Sequence, residues 1–204
     1  ISTELYREED ALKGLVRSLE SRSESGTVFS RSENNWRVRN LLVNAQGTEV
    51  RYADMTQSEQ VIYEGTATPE TISTTYIYDD YGNLTEKRNY GADSISGDEV
   101  FTFAEYINDT TNWLIGFPQR QYQTDAALVK ASESFSYYDG ADYTGLALGQ
   151  IIKGNLTRQQ SWVSGADYID TFRSAYDSYG NIIGNRNANG FERSISYDSL
   201  LHIF

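Results

Sequence analysis

Short stretches in which apolar and polar residues alternate recur along the chain, and they predict β-strands. Tyr168, Phe172 and Tyr176 fall on one face at a period of two, which is the spacing of side chains on one side of a strand. Phe101 and Phe103 share a face in the same way. We therefore expect an all-β protein of roughly a dozen strands, each of about five or six residues. The predicted strands include residues 36–41, 48–52, 59–63, 71–78, 100–106, 156–163, 168–176 and 191–197.

Two segments interrupt the alternation. Residues 109–126 have a weaker periodicity and contain Pro118, which cannot donate a backbone hydrogen bond to a neighbouring strand. Residues 141–149 are rich in glycine. We expect a long connection in the first segment and a loop in the second.

One short motif occurs twice within this pattern. Its copies are Tyr78-Asp79-Asp80-Tyr81-Gly82-Asn83 and Tyr176-Asp177-Ser178-Tyr179-Gly180-Asn181, each followed by an aliphatic residue. Aspartate is favoured at the first position of a type I turn, where its carboxylate accepts backbone N–H groups. Glycine adopts the left-handed conformation that closes such a turn at no steric cost. The motif therefore predicts two hairpin turns, with structural roles for Tyr78, Asp79, Gly82, Asn83, Tyr176, Asp177, Gly180 and Asn181.

Partial copies extend the repeat. Tyr138-Asp139 has the start of the motif, Gly154-Asn155-Leu156-Thr157 has its end, and Tyr197-Asp198 begins a further copy. An internal repeat of this kind decides the fold, because each unit buries its apolar surface against its neighbours. The repeats predict an antiparallel β-repeat array, and they indicate a scaffold rather than a catalyst.

The motif resembles the signature of the YD-repeat, or Rhs-repeat, proteins, in which Tyr-Asp is followed two residues later by Gly-Asn. Other segments resemble one branch of that family, the B subunits of bacterial insecticidal toxin complexes. The resemblance covers nearly the whole chain, from about residue 5 to residue 200. The segments that carry it are residues 7–14, residues 112–118, Tyr137-Tyr138-Asp139-Gly140, residues 145–150 and residues 154–158.

The resemblance implies a fold and a role. In these proteins the repeats form one long β-sheet that spirals into a hollow shell, and the shell encloses a toxic C-terminal effector domain. The chain would then be a structural wall segment of a secreted bacterial toxin, with the remaining repeats of the parent shell, the enclosed toxin domain and other toxin-complex subunits as its partners. The family's self-cleaving aspartyl protease follows the last repeats. No segment of this sequence matches it, so no catalytic residue is carried over and we expect no enzyme activity.

The N-terminal segment can be interpreted in two ways. Leu12, Leu15, Val16 and Leu19 have the spacing of an amphipathic helix over residues 4–19, although Gly14 within such a helix would cost about 1 kcal/mol relative to alanine. The resemblance instead implies a turn over residues 8–14 and a strand over residues 15–21. We favour the turn and the strand.

Composition agrees with a β-scaffold and excludes several kinds of chemistry. The chain has no cysteine, and His202 is its only histidine. Thiolate metal sites, histidine metal clusters and Ser-His-Asp nucleophiles are therefore excluded. Asp79, Tyr81 and Asn83 are spaced like the start of a calcium loop, but the later acidic ligands are missing. We expect no cofactor, and the plentiful carboxylates leave only a glycosidase-like acid pair open.

The net charge of −12 argues against binding to nucleic acid or to anionic membranes, because their phosphate groups would be repelled. No apolar run approaches the roughly 18 residues of a transmembrane helix. The acidic residues either keep an exposed β-surface soluble or line a cavity around a basic cargo. The sequence is compatible with both interpretations.

Three functions are compatible with these sequence features. We favour a structural shell segment. A carbohydrate- or receptor-binding surface is the alternative, since Trp36, Trp113 and Trp162 could stack on sugar rings. A glycan-active β-enzyme has the least support.

Both ends of the sequence look cut from within a repeat array. We therefore expect residues 1–204 to be one segment of a much larger chain. The exposed edges and faces of such a segment would favour association, so we expect it to be ordered beside the parent's other repeats or with copies of itself.

Overall fold

The computed structural model describes residues 2–6, 10–43, 45–47, 49–63 and 68–198. These residues form thirteen β-strands and one short 3-10 helix, Asp10–Leu12, so the predicted all-β class is confirmed. The strands are β1 (Ser2–Tyr6), β2 (Val16–Arg22), β3 (Val28–Val43), β4 (Glu49–Ile62), β5 (Glu70–Tyr78), β6 (Leu84–Ala92), β7 (Val100–Asp109), β8 (Leu114–Thr124), β9 (Lys130–Tyr138), β10 (Leu156–Ser164), β11 (Asp167–Tyr176), β12 (Ile182–Arg186) and β13 (Glu192–Ser194).

The strands follow one another in the sheet in the order of the chain, from β1 to β13. The pairs from β1 to β6 and from β9 to β13 are antiparallel. Such a meander needs only short turns between neighbouring strands. The chain divides into two compact units, Ile1–Thr102 with Thr124–Val129, and Phe103–Gln123 with Lys130–Phe204, which are described separately below.

The first unit is built around a long ribbon of β3 and β4. Its register runs from Ser30 opposite Ile62 to Val43 opposite Glu49. Asn35 lies opposite Gln57 whereas Trp36 lies opposite Met55, so Thr56 is an extra residue that forms a bulge. The strands predicted over residues 48–52 and 59–63 are confirmed for residues 49–52 and 59–62, but they belong to one strand, because β4 continues through the polar residues between them. Residue 48 lies outside the described residues.

The N-terminal segment contains no long helix in its described residues. The 3-10 helix ends at Leu12, whose side chain is buried, and Gly14 follows with φ of +78°. A positive φ ends the helical path, and β2 begins at Val16. The turn and strand that we favoured are confirmed for residues 10–21. Residues 8 and 9 of the predicted turn lie outside the described residues.

The second unit corrects two further predictions. The long connection predicted over residues 109–126 is wrong, because Leu114–Thr124 forms β8 with Pro118 inside it. Pro118 lacks an N–H donor, but its carbonyl accepts a hydrogen bond of 2.8 Å from the Tyr138 hydroxyl. The strand predicted over residues 191–197 is shorter, since β13 contains only Glu192–Ser194. The glycine-rich segment 141–149 does lie in a loop, between β9 and β10.

Neither unit has a large apolar core among its described residues. Buried apolar side chains are few, and buried polar ones outnumber them. An open sheet with little cover on its faces has this composition, because the strand ladder and same-face neighbours replace a packed interior. The buried apolar residues are Leu12, Ala92 and Phe101 in the first unit and Ile107, Tyr138 and Ala175 in the second.

Candidate functional site

The two copies of the repeat motif form turns of the same geometry. In the first, the Asp79 Oδ1 atom accepts hydrogen bonds of 2.9 Å from the backbone N–H groups of Tyr81 and Asn83. The Asp79 N–H donates to the Asn83 carbonyl at 3.0 Å, and the Asn83 side chain donates to Asp79 Oδ2 at 2.8 Å. Gly82 has φ of +87°, and Tyr78 ends β5 opposite Leu84. One carboxylate therefore organises the whole turn.

The second copy has the same hydrogen bonds at nearly the same lengths. Asp177 Oδ1 accepts from the N–H groups of Tyr179 and Asn181 at 2.9 Å, and Asn181 Nδ2 donates to Asp177 Oδ2 at 3.0 Å. Gly180 has φ of +88°. Tyr176 ends β11 opposite Ile182. These hydrogen bonds hold the pKa of Asp177 below its usual value, and the bond from the Asn181 side chain has the largest effect.

The same turn also forms where the motif is not recognisable. Ser23 and Asn187 replace the aspartate, and their side-chain oxygens accept the N–H groups of Thr27 and Phe191 at 3.0 Å. In both turns the first residue's own N–H donates back to the carbonyl of that last residue. The signal in the sequence was a polar residue three positions before a glycine, Gly26 or Gly190. It is too common in loops to be found without the structure.

A further variant of the turn has no glycine. Asp125 accepts the N–H of Val129 through its Oδ1 atom at 2.8 Å, and Leu128 takes the glycine position with φ of +62°. A leucine in the left-handed region is strained by its Cβ atom. Sequence reasoning missed this turn for that reason.

The two partial motif copies are the two ends of one turn. The Asp139 N–H donates to the Asn155 carbonyl at 2.7 Å, and the Asn155 N–H donates to Asp139 Oδ1 at 3.0 Å. The compact turns have the same pair of bonds between aspartate and asparagine. Residues 140–153 lie between Asp139 and Gly154, where the first compact turn has only Asp80 and Tyr81. We call this arrangement the split turn.

The Asp139 carboxylate is the centre of the split turn. Its Oδ2 atom accepts the backbone N–H groups of Ile152, Lys153 and Gly154 at 2.7, 2.8 and 3.1 Å. Burial alone would raise the pKa of Asp139, but these bonds stabilise the charged form and the pKa is lowered. The residue is buried and has φ of +52°, which aspartate tolerates better than most side chains.

A cavity of about 210 Å³ lies beside the split turn. Its walls are polar, and two of its carboxylates, Asp139 and Asp177, already accept backbone N–H groups. Those carboxylates are turn-forming groups, and the cavity offers no ready set of cation ligands. The lining includes Asp139, Asp142, Lys153, Thr157, Tyr176 and Asp177.

The tyrosines of the motif connect neighbouring strands. The Tyr138 hydroxyl donates to the Pro118 carbonyl at 2.8 Å, and the Tyr176 hydroxyl donates to the Leu156 carbonyl at 2.6 Å. The Tyr197 hydroxyl donates to the Ile182 carbonyl at 3.0 Å. Tyr138 and Tyr176 therefore tie β9 and β11 to the strand before each of them, and Tyr197, which follows β13, makes the same kind of contact with β12.

Buried carboxylates elsewhere are neutralised by cations. Glu133 receives Arg120 and Lys130 at 2.7 Å and the Tyr168 hydroxyl at 2.5 Å. Burial would raise the pKa of Glu133, but these donors lower it to about 2. Asp54, fully buried in the first unit, contacts Arg37 at 2.8 Å and Arg39 at 2.5 Å. Glu133 is ionised at neutral pH and cannot serve as a general acid there.

No group in the described part of the chain resembles a metal centre. Across those residues, no three carboxylate, histidine or cysteine side chains come together in a way that could hold an ion. The calcium-loop pattern at Asp79 is accounted for by its turn bonds. His202 lies outside the described residues. Among the residues that the structure describes, no helix has the length and apolar character needed to cross a bilayer.

The three tryptophans have different surroundings. Trp36 donates its indole N–H to the Val16 carbonyl at 3.0 Å. Trp162 lies under the Lys130 ammonium group, 4.5 Å from the ring centroid. Trp113 is 75% exposed and lies in the β7–β8 turn with φ of +57°. Trp113 is therefore the tryptophan whose ring is most open to a ligand.

Comparison with known proteins gives a fold. No model of a protein family matches the sequence, and no curated protein matches it. Solved structures do match. The pore structure of the Photorhabdus luminescens Tc holotoxin, with a TccC3 variant, matches with a TM-score of 0.58 and 13% identity over 92% of this chain. The crystal structure of TcdB2-TccC3 matches with a TM-score of 0.60 and 13% identity over 95% of this chain.

The match covers a small part of the larger chains. This chain spans 14% of the holotoxin chain and 16% of the TcdB2-TccC3 chain. At this level of identity the likeness shows the fold, and that fold is the one the YD-repeat resemblance implies. The chain therefore has the open antiparallel β-sheet architecture of a segment of Tc toxin-complex proteins.

Proposed function

We propose that the chain is a non-catalytic wall segment of a hollow YD-repeat shell that encapsulates a toxic C-terminal effector domain. The observation that carries this proposal is the recurrent turn. Five side chains, Ser23, Asp79, Asp125, Asp177 and Asn187, each organise a hairpin in the same way. Such a device builds a long sheet from repeated hairpins and provides no reactive group.

The sparse apolar core also supports a wall. A sheet that closes around its own core buries many large apolar side chains, whereas the buried apolar residues described here are few and include two alanines. A wall relies on neighbouring repeats for cover, so residues 1–204 would be one segment of a longer chain. Its partners would be the parent's other repeats, the enclosed effector and other toxin-complex subunits, and its location would be outside the bacterial cell.

The carboxylates of the chain also support a structural role. The buried ones are engaged by arginine, lysine or backbone N–H groups and so serve to hold strands and turns. We therefore expect the purified chain to hydrolyse peptide, ester and glycoside substrates no faster than a buffer blank. Turnover that disappears when one particular Asp or Glu is replaced would show an enzyme instead.

Encapsulation is tested by the protease sensitivity of the effector in the full-length protein. Limited proteolysis should leave the C-terminal domain uncut in the intact protein and cut it rapidly when that domain is produced alone. The D139A variant should loosen the split turn and increase cleavage of the effector. The D142A variant is the matched control, because Asp142 is an exposed aspartate of the same loop. Equal cleavage rates in the intact protein and in the isolated domain would contradict encapsulation.

One observation favours a second function, a carbohydrate- or receptor-binding surface. Trp113 is strongly exposed and follows Asp109 and Asn112 in a turn, and such a ring with polar neighbours can stack on a sugar. A glycan array with the full-length protein and its W113A variant separates the two functions. Glycan binding that is lost in W113A would favour a lectin, whereas no binding in either protein favours the wall.

A further inference from the structure

Two residues of the loop between β9 and β10 have an unfavourable backbone conformation. In the described residues, positive φ outside glycine occurs at Trp113, Leu128, Asp139 and Tyr143. Tyr143 has φ of +64°, and unlike aspartate it has no short polar side chain to compensate. A strained residue of this kind costs about 1–3 kcal/mol and persists only where its surroundings hold it. The contacts of Tyr143 therefore indicate what the loop is built to do.

Tyr143 contacts three successive strands. Its backbone N–H donates to the Ser174 carbonyl of β11 at 3.0 Å. Its hydroxyl donates to the Glu192 Oε1 atom of β13 at 2.7 Å, and the Arg186 guanidinium of β12 lies 4.1 Å from its ring centroid. Arg186 also pairs with Glu192 at 2.9 Å. One residue thus joins β11, through its backbone, to β12 and β13, through its side chain.

The sheet has a place prepared for this tyrosine. A Cβ atom built on Gly184 would lie 2.3 Å from the Tyr143 hydroxyl, so any side chain at that position would displace the tyrosine. The first repeat has no such gap. There Glu86 stands as far from Asp79 as Gly184 stands from Asp177, and Glu86 pairs with Arg88 at 2.6 Å.

This comparison separates a general feature from a special one. The arginine is kept in both repeats, as Arg88 and Arg186, but its partner differs. In the first repeat the arginine pairs within its own strand, and in the second it pairs with β13 and lies against Tyr143. The glycine and the change of partner occur where the long loop crosses the sheet, so the loop and the sheet are fitted to each other.

We propose that residues 140–153 form a strap that fastens β13 to the sheet, with Tyr143 as a latch that closes only when β13 is paired with β12. Glu192 supplies the hydroxyl acceptor and lies on β13, so a sheet without docked β13 leaves the tyrosine without that contact. The strained backbone then relaxes and the strap opens. Docking of β13 and closing of the strap are therefore one cooperative event.

The split turn makes this device possible. Asp139 fixes the far end of the strap through the N–H groups of Ile152, Lys153 and Gly154, independently of β13. The strap can open at Tyr143 while its base stays closed. The inference does not depend on what the proposed shell encloses, because it concerns only the coupling of one loop to one strand.

The coupling is reciprocal by thermodynamic necessity, and this gives the test. Hydrogen exchange at single-residue resolution on the full-length protein reports on both coupled parts, the strap and β13. The Y143A variant should speed exchange of the Ile195 amide, which bonds to the Ile183 carbonyl across β12 and β13, by about tenfold. The E192A variant should speed exchange of the Tyr143 amide by a similar factor, with the Lys153 amide unchanged because Asp139 holds it.

Three further variants complete the test. G184E restores the residue of the first repeat and should open the strap, so that exchange rises at both Tyr143 and Ile195. Y143F removes only the hydroxyl contact and keeps the ring, which provides a milder version if Y143A is too disruptive. Y179A is the matched control, since Tyr179 is an exposed tyrosine of the neighbouring turn. Exchange at Ile195 that stays within about twofold in Y143A, or at Tyr143 in E192A, would overturn the latch.

Discussion

The compact turn at Asp177 and the split turn at Asp139 close with the same pair of bonds around very different connections. In both, the aspartate N–H donates to the carbonyl of an asparagine, and the asparagine N–H donates back to Oδ1. In the compact turn the Oδ2 atom receives the Asn181 side chain. In the split turn it receives backbone N–H groups that are remote in sequence. The turn is therefore defined by where its donors lie in space, and the length of chain between them can vary.

The largest difference between the two turns should appear when the aspartate is removed. D139A removes the acceptor of the backbone N–H groups of Ile152, Lys153, Gly154 and Asn155, which meet at a buried carboxylate. A loss of about 3 kcal/mol in the free energy of unfolding is expected. D177A exposes its donors to water, so its loss should be clearly smaller. Urea denaturation of both variants measures the difference, with D142A as a control that should behave like the parent. Equal losses for D139A and D177A would break the comparison.

The second largest difference is expected in the stability that is lost when the glycine of each turn is replaced by valine. G180V costs more than about 1 kcal/mol because a β-branched residue is strained at positive φ. G154V should cost more, since Gly154 also has φ of +93° and a Cβ atom there would lie 2.5 Å from the Phe117 ring. At Gly180 the nearest atom to such a Cβ is Asn155 Oδ1 at 3.5 Å. Thermal denaturation ranks the variants, and a G154V protein as stable as G180V would count against the packed environment.

The pKa values of the two carboxylates should both lie below that of an unperturbed aspartate. The pKa of Asp177 is lowered by the Asn181 side chain and backbone N–H groups, and that of Asp139 is lowered by backbone N–H groups despite its burial. A folded pKa below the unfolded value means that each group contributes stability above about pH 4. This stability is lost as the pH falls through the folded pKa. Carboxyl-carbon NMR titration measures both values directly, and an Asp139 that titrates above pH 4 would contradict the assigned hydrogen bonds.

The smallest effects are expected at the tyrosines that tie neighbouring strands. Y138F and Y176F each remove one hydroxyl donor to a backbone carbonyl and should cost about 1 kcal/mol. The two should be alike, because both turns use this tie in the same way. Denaturant unfolding tests this, and Y179F serves as a control at an exposed tyrosine. A variant that loses nothing would show that its hydroxyl bond has no net value.

Some turns of this chain are predictable from the sequence and others are not. The turn at Asp79 and the turn at Asp177 follow from residue chemistry, because Asp and Gly each meet a local backbone requirement. The halves at Asp139 and Gly154 were visible as partial motifs, but their joining was not. Sequence spacing carries no information about which distant N–H groups meet a carboxylate. The structure alone shows that the two halves form one turn.

Three other differences between the predicted and the observed structure can each be traced to a single residue. Leu128 occupies a position that calls for glycine, so its turn has no signature. Pro118 suggested a break in the strand, yet its carbonyl is bonded by Tyr138 and β8 continues through it. The polar residues around Thr56 suggested two strands where a bulge keeps β4 in one piece. At Pro118 the contact from another strand outweighs the local preference.

The deletion of residues 141–152 tests most directly the claim that the split turn and the compact turn are one device. It leaves Asp139-Gly140-Lys153-Gly154-Asn155, which has the spacing of Asp177 to Asn181. We expect hydrogen exchange of the β9 and β10 amides to stay as slow as in the parent, because Asp139 can again accept the N–H groups of Lys153 and Asn155. The amides of β13 should exchange faster, since the strap is gone. Rapid exchange throughout β9 and β10 would contradict the account, because it would mean that the long loop itself, and not the turn, holds these strands together.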